Sequence, residues 1–360
     1  MTNMTKLQKK IATILSVGTF AFSMSYAALP APKADASILG AVIGGIAMSS
    51  QVEQIISHYD KTEEGRQELL QNFQSKLGIN YDAELNARLD TMMANLTEGI
   101  AAVDPSIYDK PYLYFINNQQ TFNAFCSMGH VMSVNTGSFN KMANEDELAV
   151  ILGHEMGHGQ KNHVAKGLRN SIGPAVLASA AGNNLASVIL ANALDKQGIS
   201  KPQEREADSL AFEYLTHTNY NPGACAAVWQ RVLEQDGNNA ETFAAFLLAG
   251  GSDHPSNQSR RDDYAKKLYE YSNKHVQVKD GVVFVNGKEF TMPAPAASMS
   301  GAERSYFVAG NLASAYHHGY DKENVTVNNA TVMMGPQDII ATTAEDEPAE
   351  TLAGRLQSIK

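Results

Sequence analysis

Asn144-Glu145-Asp146-Glu147-Leu148-Ala149-Val150-Ile151-Leu152-Gly153-His154-Glu155-Met156-Gly157-His158 is the stretch on which the reading of this chain turns. Asn144 offers an N-cap, and Glu147 three residues on completes a capping-box arrangement, so a helix is expected from Glu145 to about His163. Leu148, Val150, Ile151 and Leu152 give that helix an apolar face. Residues four apart share a helix face, so the imidazoles of His154 and His158 can grip one ion. Glu155 projects beside it and can take a proton from a zinc-activated water. Gly157 adds little bulk next to the ion. Neutral imidazole is the preferred zinc ligand among the residue types present.

A catalytic zinc needs a third protein ligand and an open position. His163 follows His158 by five residues. The metzincin pattern requires Gly and His three and six places beyond the second His, where Lys161 and Val164 stand, so that class is excluded. Glu204, in Glu204-Arg205-Glu206-Ala207-Asp208, is the better candidate, on a helix expected over 203–216. Asp208 lies one turn beyond on the same face. One carboxylate can bind zinc while the other accepts an N–H from a ligating imidazole. Glu206 points to another face and reads as a surface residue.

With these residues assembled, the chain resembles the HtpX/BepA/Oma-type zinc metallopeptidase family, gluzincins related to the CAAX prenyl proteases. The resemblance runs from about 120 to 270, through Asn123-Ala124-Phe125, Val134-Asn135-Thr136-Gly137, Asp146-Glu147-Leu148-Ala149, His154–His158, Glu204–Asp208 and His254-Pro255-Ser256. It implies one Zn2+ per chain, held by His154, His158 and Glu204, with Glu155 as general base and Asp208 supporting a ligand. It also implies that His254 and Arg260 lie at the active-site cleft. His254 sits in a Gly/Ser/Asp/Pro loop, from which it can either stabilise an oxyanion or close the site as a fourth ligand. Asn123, Ala124 and Phe125 are expected on the strand to which an extended peptide adds. Where relatives commonly carry an apolar stretch and paired glycines, this chain has Cys126-Ser127-Met128-Gly129-His130, so His130 is expected to alter specificity or pH response.

Working outward, residues 52–99 read as helical, with Leu69, Leu70, Phe73 and Leu77 on one stripe and Leu85, Leu89, Met92, Met93 and Leu96 on another. Tyr112–Ile116 and Val131–Val134 read as short buried strands. Helices are expected over 174–194, 224–235 and 240–248. From about 274 the character changes. Asp280-Gly281 and Asn286-Gly287 separate runs of β-formers, a strong hairpin signal. A second copy follows 49 residues later, with Val276 and Val278 matching Val325 and Val327, and Phe290 matching Ile339. Helices are expected after each copy, over 303–317 and 347–359, sharing Ala309-Gly310-x-Leu312 and Ala353-Gly354-x-Leu356.

The N-terminus carries Lys6, Lys9 and Lys10 and no acid, then an apolar run from Ile11 to Met24, then Ser25-Tyr26-Ala27. That order is a secretory signal, with cleavage expected after Ala27, or secondarily after Ala36. No Cys lies near either site to take a lipid anchor. Removing residues 1–27 takes three positive charges from a net of −10 and leaves −13. The acidic balance argues against nucleic acid as a partner. Two Cys in 360 residues exclude a disulfide scaffold or a thiolate-rich metal site, and export leaves Cys126 and Cys225 either bridged or as two buried thiols. Gly40 and Gly44 in the small-residue stretch 38–48 leave room for peripheral membrane contact.

The expected fold class is α+β. It comprises a signal peptide (1–27), a mainly helical zincin-type peptidase domain with a small β-sheet (28–272), and a small α+β domain of two β-meander–helix repeats (273–360). The expected function is an exported zinc metalloendopeptidase of the periplasm or cell envelope, acting on unfolded or misassembled envelope proteins. A weakly proteolytic, chaperone-like protein or a scaffold using the same cleft is the alternative.

Overall fold

The computed structural model describes residues 53–142, 144–171, 189–190, 193, 199–235 and 256–360. The expected signal segment, the stretch 38–48, nearly all of 174–194, the helix over 240–248 and His254 lie outside the described residues. A helical segment over 53–61 precedes helix α1 (Glu63–Leu77), which Thr62 caps by accepting the Gly65 N–H. Helix α2 (Ala83–Ala101) follows, capped by Asp82. Its stripe of Leu89, Met92, Met93 and Leu96 is buried, as are Leu69 and Phe73 of α1.

Three short strands form the sheet beside the site: β1 (Leu113–Asn117), β2 (Ala124–Cys126) and β3 (Val131–Asn135). Their order is β1-β3-β2, with β3 parallel to β1 and antiparallel to β2. β2 is therefore an edge. Helix α3 (Thr136–Lys141) leads to α4 (Glu145–Gln160), which carries the two-His motif. Asn144 caps α4 by accepting the Glu147 N–H at 3.0 Å. The Glu147 carboxylate is engaged elsewhere: it is buried and receives Arg231 Nη2 at 3.2 Å.

α4 ends at Gln160, three residues short of expectation. Asn162 takes a left-handed conformation (φ 52°) and turns the chain into α5 (His163–Ser171). Helix α6 (Lys201–Thr216) starts at Ser200, whose capping box with Gln203 and a proline in the first turn fix its start. α6 packs along α4. A Cβ at Gly157 would lie 3.3 Å from the Ala207 Cα and carbonyl oxygen, and one at Gly153 would lie 3.3 Å from Leu215 Cδ1. The small residue at 157 thus serves helix approach, a role different from the one its place in the motif suggests.

Helices α7 (Ala224–Gln235) and α8 (Asn257–Tyr271) complete the site half. Beyond them, β4 (Val276–Lys279), β5 (Val282–Val285) and β6 (Lys288–Thr291) form one meander, followed by α9 (Gly301–His317). β7 (Val325–Asn328), β8 (Thr331–Met334) and β9 (Gln337–Ala341) form the second, followed by α10 (Ala349–Ile359). The 49-residue offset extends to backbone detail. β-bulges fall between Val283 and Phe284 and between Val332 and Met333. Left-handed residues fall at Asp280 and Asn329, and at Asn286 and Gly335. Both meanders share one core, with Val283 and Phe290 from the first and Val332 and Ile339 from the second fully buried. The helices are exchanged in their bonding: Asn311 and Arg304 donate to the carbonyls of Ile339 and Ala341, while Arg355 donates to that of Phe290.

The first repeat docks on the site half through α9. Asn221 donates from its side chain to the Phe307 carbonyl and to Asn311 Oδ1, and from its backbone to Asp146 Oδ1. Arg231 bridges Glu147 and Glu303, the latter at 2.8 Å. Both links end on the first turn of α4.

Candidate active site

His154 and His158 project from the C-terminal half of α4 toward α6. Their Nε2 atoms are 3.1 Å apart. Glu204, in the first turn of α6, brings Oε2 to 3.6 Å from His154 Nε2 and Oε1 to 3.4 Å from His158 Nε2. All three residues are buried, and among the described residues they form the one group of three whose ligand atoms converge in this way, within 4.8 Å of one another. Three buried polar side chains aiming their electron-pair donors at one point is unfavourable unless a cation lies between them. The donor set therefore fits a divalent metal.

Asp208 stands one turn beyond Glu204, its Oδ1 3.0 Å from His154 Nδ1. Arg260, on α8, donates Nε to Asp208 Oδ2 at 2.7 Å and Nη2 to Oδ1, and Tyr264 adds its hydroxyl to Oδ1 at 3.2 Å. Arg260 also lies over the Trp229 ring, 3.7 Å from its centroid. Burial alone would raise the Asp208 carboxyl, but Arg260 and His154 hold it down at about 2. Burial pushes His154 below its ordinary value against the pull of Asp208, which favours the neutral ligand form. The guanidinium of Arg260 is thus turned to Asp208, and only its Nη2 approaches His154 Nδ1, at 3.5 Å. Arg260 thereby holds the carboxylate that partners His154.

Glu155 faces the sheet. Its Oε2 accepts the backbone N–H of Cys126 at 3.2 Å. Ala124 and Phe125 lie in edge strand β2, and Asn123 directly precedes it, accepting the Asn135 N–H through its carbonyl. Cys126 and Cys225 are free, buried thiols, not a disulfide. His130 is buried, stacked on Tyr112 at 4.4 Å, and bonded through Nδ1 to the Lys110 carbonyl. Burial and Lys110 lower it to about 4, so it stays neutral at ordinary pH.

Two residues whose spacing does not mark them for this site join it, His163 and Glu206. His163 Nδ1 lies 2.9 Å from His158 Nδ1, and His163 Nε2 lies 3.1 Å from Glu206 Oε2. The left-handed turn at Asn162 folds His163 back onto the motif. Asn, one of the non-glycine residues that take that conformation most readily, is the available signal.

Residues 83–266, just over half the chain, match the model of Peptidase family M48. Metalloprotease LoiP of Escherichia coli is 26% identical over 175 residues, covering 46% of this chain and 66% of that protein. The mitochondrial metalloendopeptidase OMA1 of Arabidopsis thaliana is 27% identical over 151 residues, covering 40% and 29%. The beta-barrel assembly-enhancing protease of E. coli is 24% identical over 170 residues, covering 42% and 34%. The chain thus spans from under a third to about two thirds of the length of these relatives.

Proposed function

The chain belongs to Peptidase family M48, and from that premise we propose that it is a zinc-dependent metalloendopeptidase with one Zn2+ per chain. The convergence of His154, His158 and Glu204 beside Glu155 carries this reading. Two imidazoles and one carboxylate are the ligand set of a catalytic zinc with an open position. When bound, zinc supplies polarisation of a scissile carbonyl and acidification of a water.

The chain's own residues do the rest. His154 and His158 bind through Nε2, and Asp208 fixes the tautomer of His154 by accepting from Nδ1. Arg260 keeps Asp208 ionised and in place. Glu155 takes a proton from the attacking water and delivers it to the leaving amine. A substrate peptide adds antiparallel or parallel to the outer edge of β2, where main-chain bonding makes recognition tolerant of sequence. That tolerance suits unfolded protein substrates. His254 would serve either as a donor to the developing oxyanion or as a fourth ligand that closes the site, a role that rests on the family likeness.

The basic–apolar–small order of residues 1–27 supports export to the periplasm or cell envelope. Among the described residues no helix is long and apolar enough to cross a membrane. Likeness to a beta-barrel assembly-enhancing protease supports a role in envelope protein quality control. The test is metal analysis of the chain from residue 28 onward, with cleavage of unfolded casein in the presence and absence of a chelator. One zinc per chain and chelator-sensitive cleavage are expected; metal-free protein, or cleavage that ignores the chelator, would overturn the reading. Binding of casein without cleavage would favour the chaperone-like alternative.

A further inference from the structure

His154 has a carboxylate on its far nitrogen. His158 has one too, at one remove. Its Nε2 faces His154 and Glu204, so Nδ1 is the nitrogen turned away from the ligand centre. That Nδ1 meets Nδ1 of His163 at 2.9 Å, and Nε2 of His163 meets Glu206 Oε2 at 3.1 Å. Two imidazole nitrogens at that distance share a single proton, with one donating and the other accepting. A metal on Nε2 of His158 leaves its proton on Nδ1. His163 must then accept at Nδ1 and carry its own proton on Nε2, where Glu206 receives it. Every nitrogen in the chain has one role and one partner.

We propose that His163 and Glu206 are positioning residues of the metal site, forming a carboxylate–imidazole relay that fixes the tautomer and ring orientation of His158. The inference rests on the metal-site reading above and deepens it. Three observations carry it independently of the motif. His163 is fully buried, although histidine seldom is without a polar partner on both nitrogens. Its ring meets that of His158 edge-on, at 5.0 Å and 71°, which aims the nitrogen lone pair rather than the ring face at His158. The left-handed turn at Asn162 places it there. With both nitrogens committed, His163 is not itself a ligand. Glu206 differs from its neighbours Glu204 and Asp208 in being half-exposed, so this relay runs from the ligand centre to solvent, whereas the Asp208 branch ends in buried Arg260.

The experiment measures zinc affinity of the full chain by competition with a chromophoric chelator, alongside the melting temperature of the metal-free protein. His163→Phe keeps an aromatic ring but removes the acceptor, and about a 10- to 100-fold loss of zinc affinity is expected, the range typical of such outer partners. His163→Asn places an amide oxygen near the lost Nδ1 and should recover most of that loss. Glu206→Ala should weaken zinc several-fold with the metal-free melting temperature unchanged. Wild-type affinity in either His163→Phe or Glu206→Ala would overturn the relay, as would His163→Asn binding no better than His163→Phe. Should His163→Phe not fold, Glu206→Ala decides alone. A wild-type chain that takes up no zinc would instead sink the metal-site reading itself, so the two failures are distinct.

Discussion

Cys126 and Glu155 are joined by a backbone N–H donated from the edge strand to the carboxylate at 3.2 Å, which ties the candidate general base to the strand that would receive a peptide. On the proposed function, a peptide entering along β2 would arrive beside the group that takes the proton of the attacking water.

Glu155→Gln preserves this hydrogen bond, since the amide oxygen still accepts, but removes the base. Zinc content should match the wild type while casein hydrolysis falls by about 10²- to 10⁴-fold. Retained hydrolysis in a zinc-loaded variant would show that another group takes the proton.

Glu204→Ala removes the carboxylate facing both imidazoles. Metal content after dialysis should drop sharply, and activity with it. Full zinc occupancy by elemental analysis would mean that the third ligand lies elsewhere.

Arg260→Met leaves Asp208 buried without its cation and strips the guanidinium from Trp229. A buried charge deprived of its partner costs about 3–5 kcal/mol, read as a lowered urea midpoint. Adding Asp208→Asn to the same chain should restore part of that loss, because the stranded charge is then gone.

Gly310 and Gly354 occupy equivalent places in the two repeat helices but different surroundings. A Cβ at 310 would fall 2.0 Å from Asn221 Oδ1 and 2.4 Å from the Gly223 nitrogen, while one at 354 meets nothing within 4 Å. Gly310→Ala should therefore destabilise by about 1–3 kcal/mol or push the repeats off the site half. Gly354→Ala should stabilise by up to about 1 kcal/mol through helix propensity. Thermal melts of the pair give opposite signs.

Asp346 supplies the acid-pH prediction. Burial would raise its carboxyl, but the Arg304 fork, at 2.9 Å to each oxygen, and N–H groups of Thr343 and Ala294 hold it at about 2. Its folded value lies below the unfolded one, so the stabilisation is complete above about pH 4 and is lost as pH falls toward 2. The contribution is on the order of 2 kcal/mol. Stability measured by urea at pH 5 and at pH 2.5 should converge between wild type and Asp346→Asn at the lower pH.

Spacing made much of this chain legible. The four-residue steps from His154 to His158 and from Glu204 to Asp208 put both pairs on helix faces, and Asp280-Gly281 and Asn286-Gly287 fixed the hairpins of the first meander. The α+β class follows from those same elements. What spacing hid was set by single backbone events and by neighbours distant in sequence. His163 reads as a misplaced ligand until the turn at Asn162 is known. Glu206 reads as a surface acid because only its carboxylate tip, not its helix face, reaches His163. Glu147 completes a capping-box pattern, yet Arg231, 84 residues away, draws its carboxylate. The stacking of His130 on Tyr112 is likewise invisible in the sequence around it.

The exchanged bonding of the two repeats bears on chain connectivity. Each helix satisfies carbonyls of the other copy's sheet, and Asn286 of the first meander donates to the Ile359 carbonyl at the end of α10. The two copies therefore complement each other as halves of a nicked protein do, held by what they bury rather than by the peptide between them. Cleaving the segment that joins them would leave two fragments still associated, and reconnecting the copies in the opposite order would preserve the same set of partners.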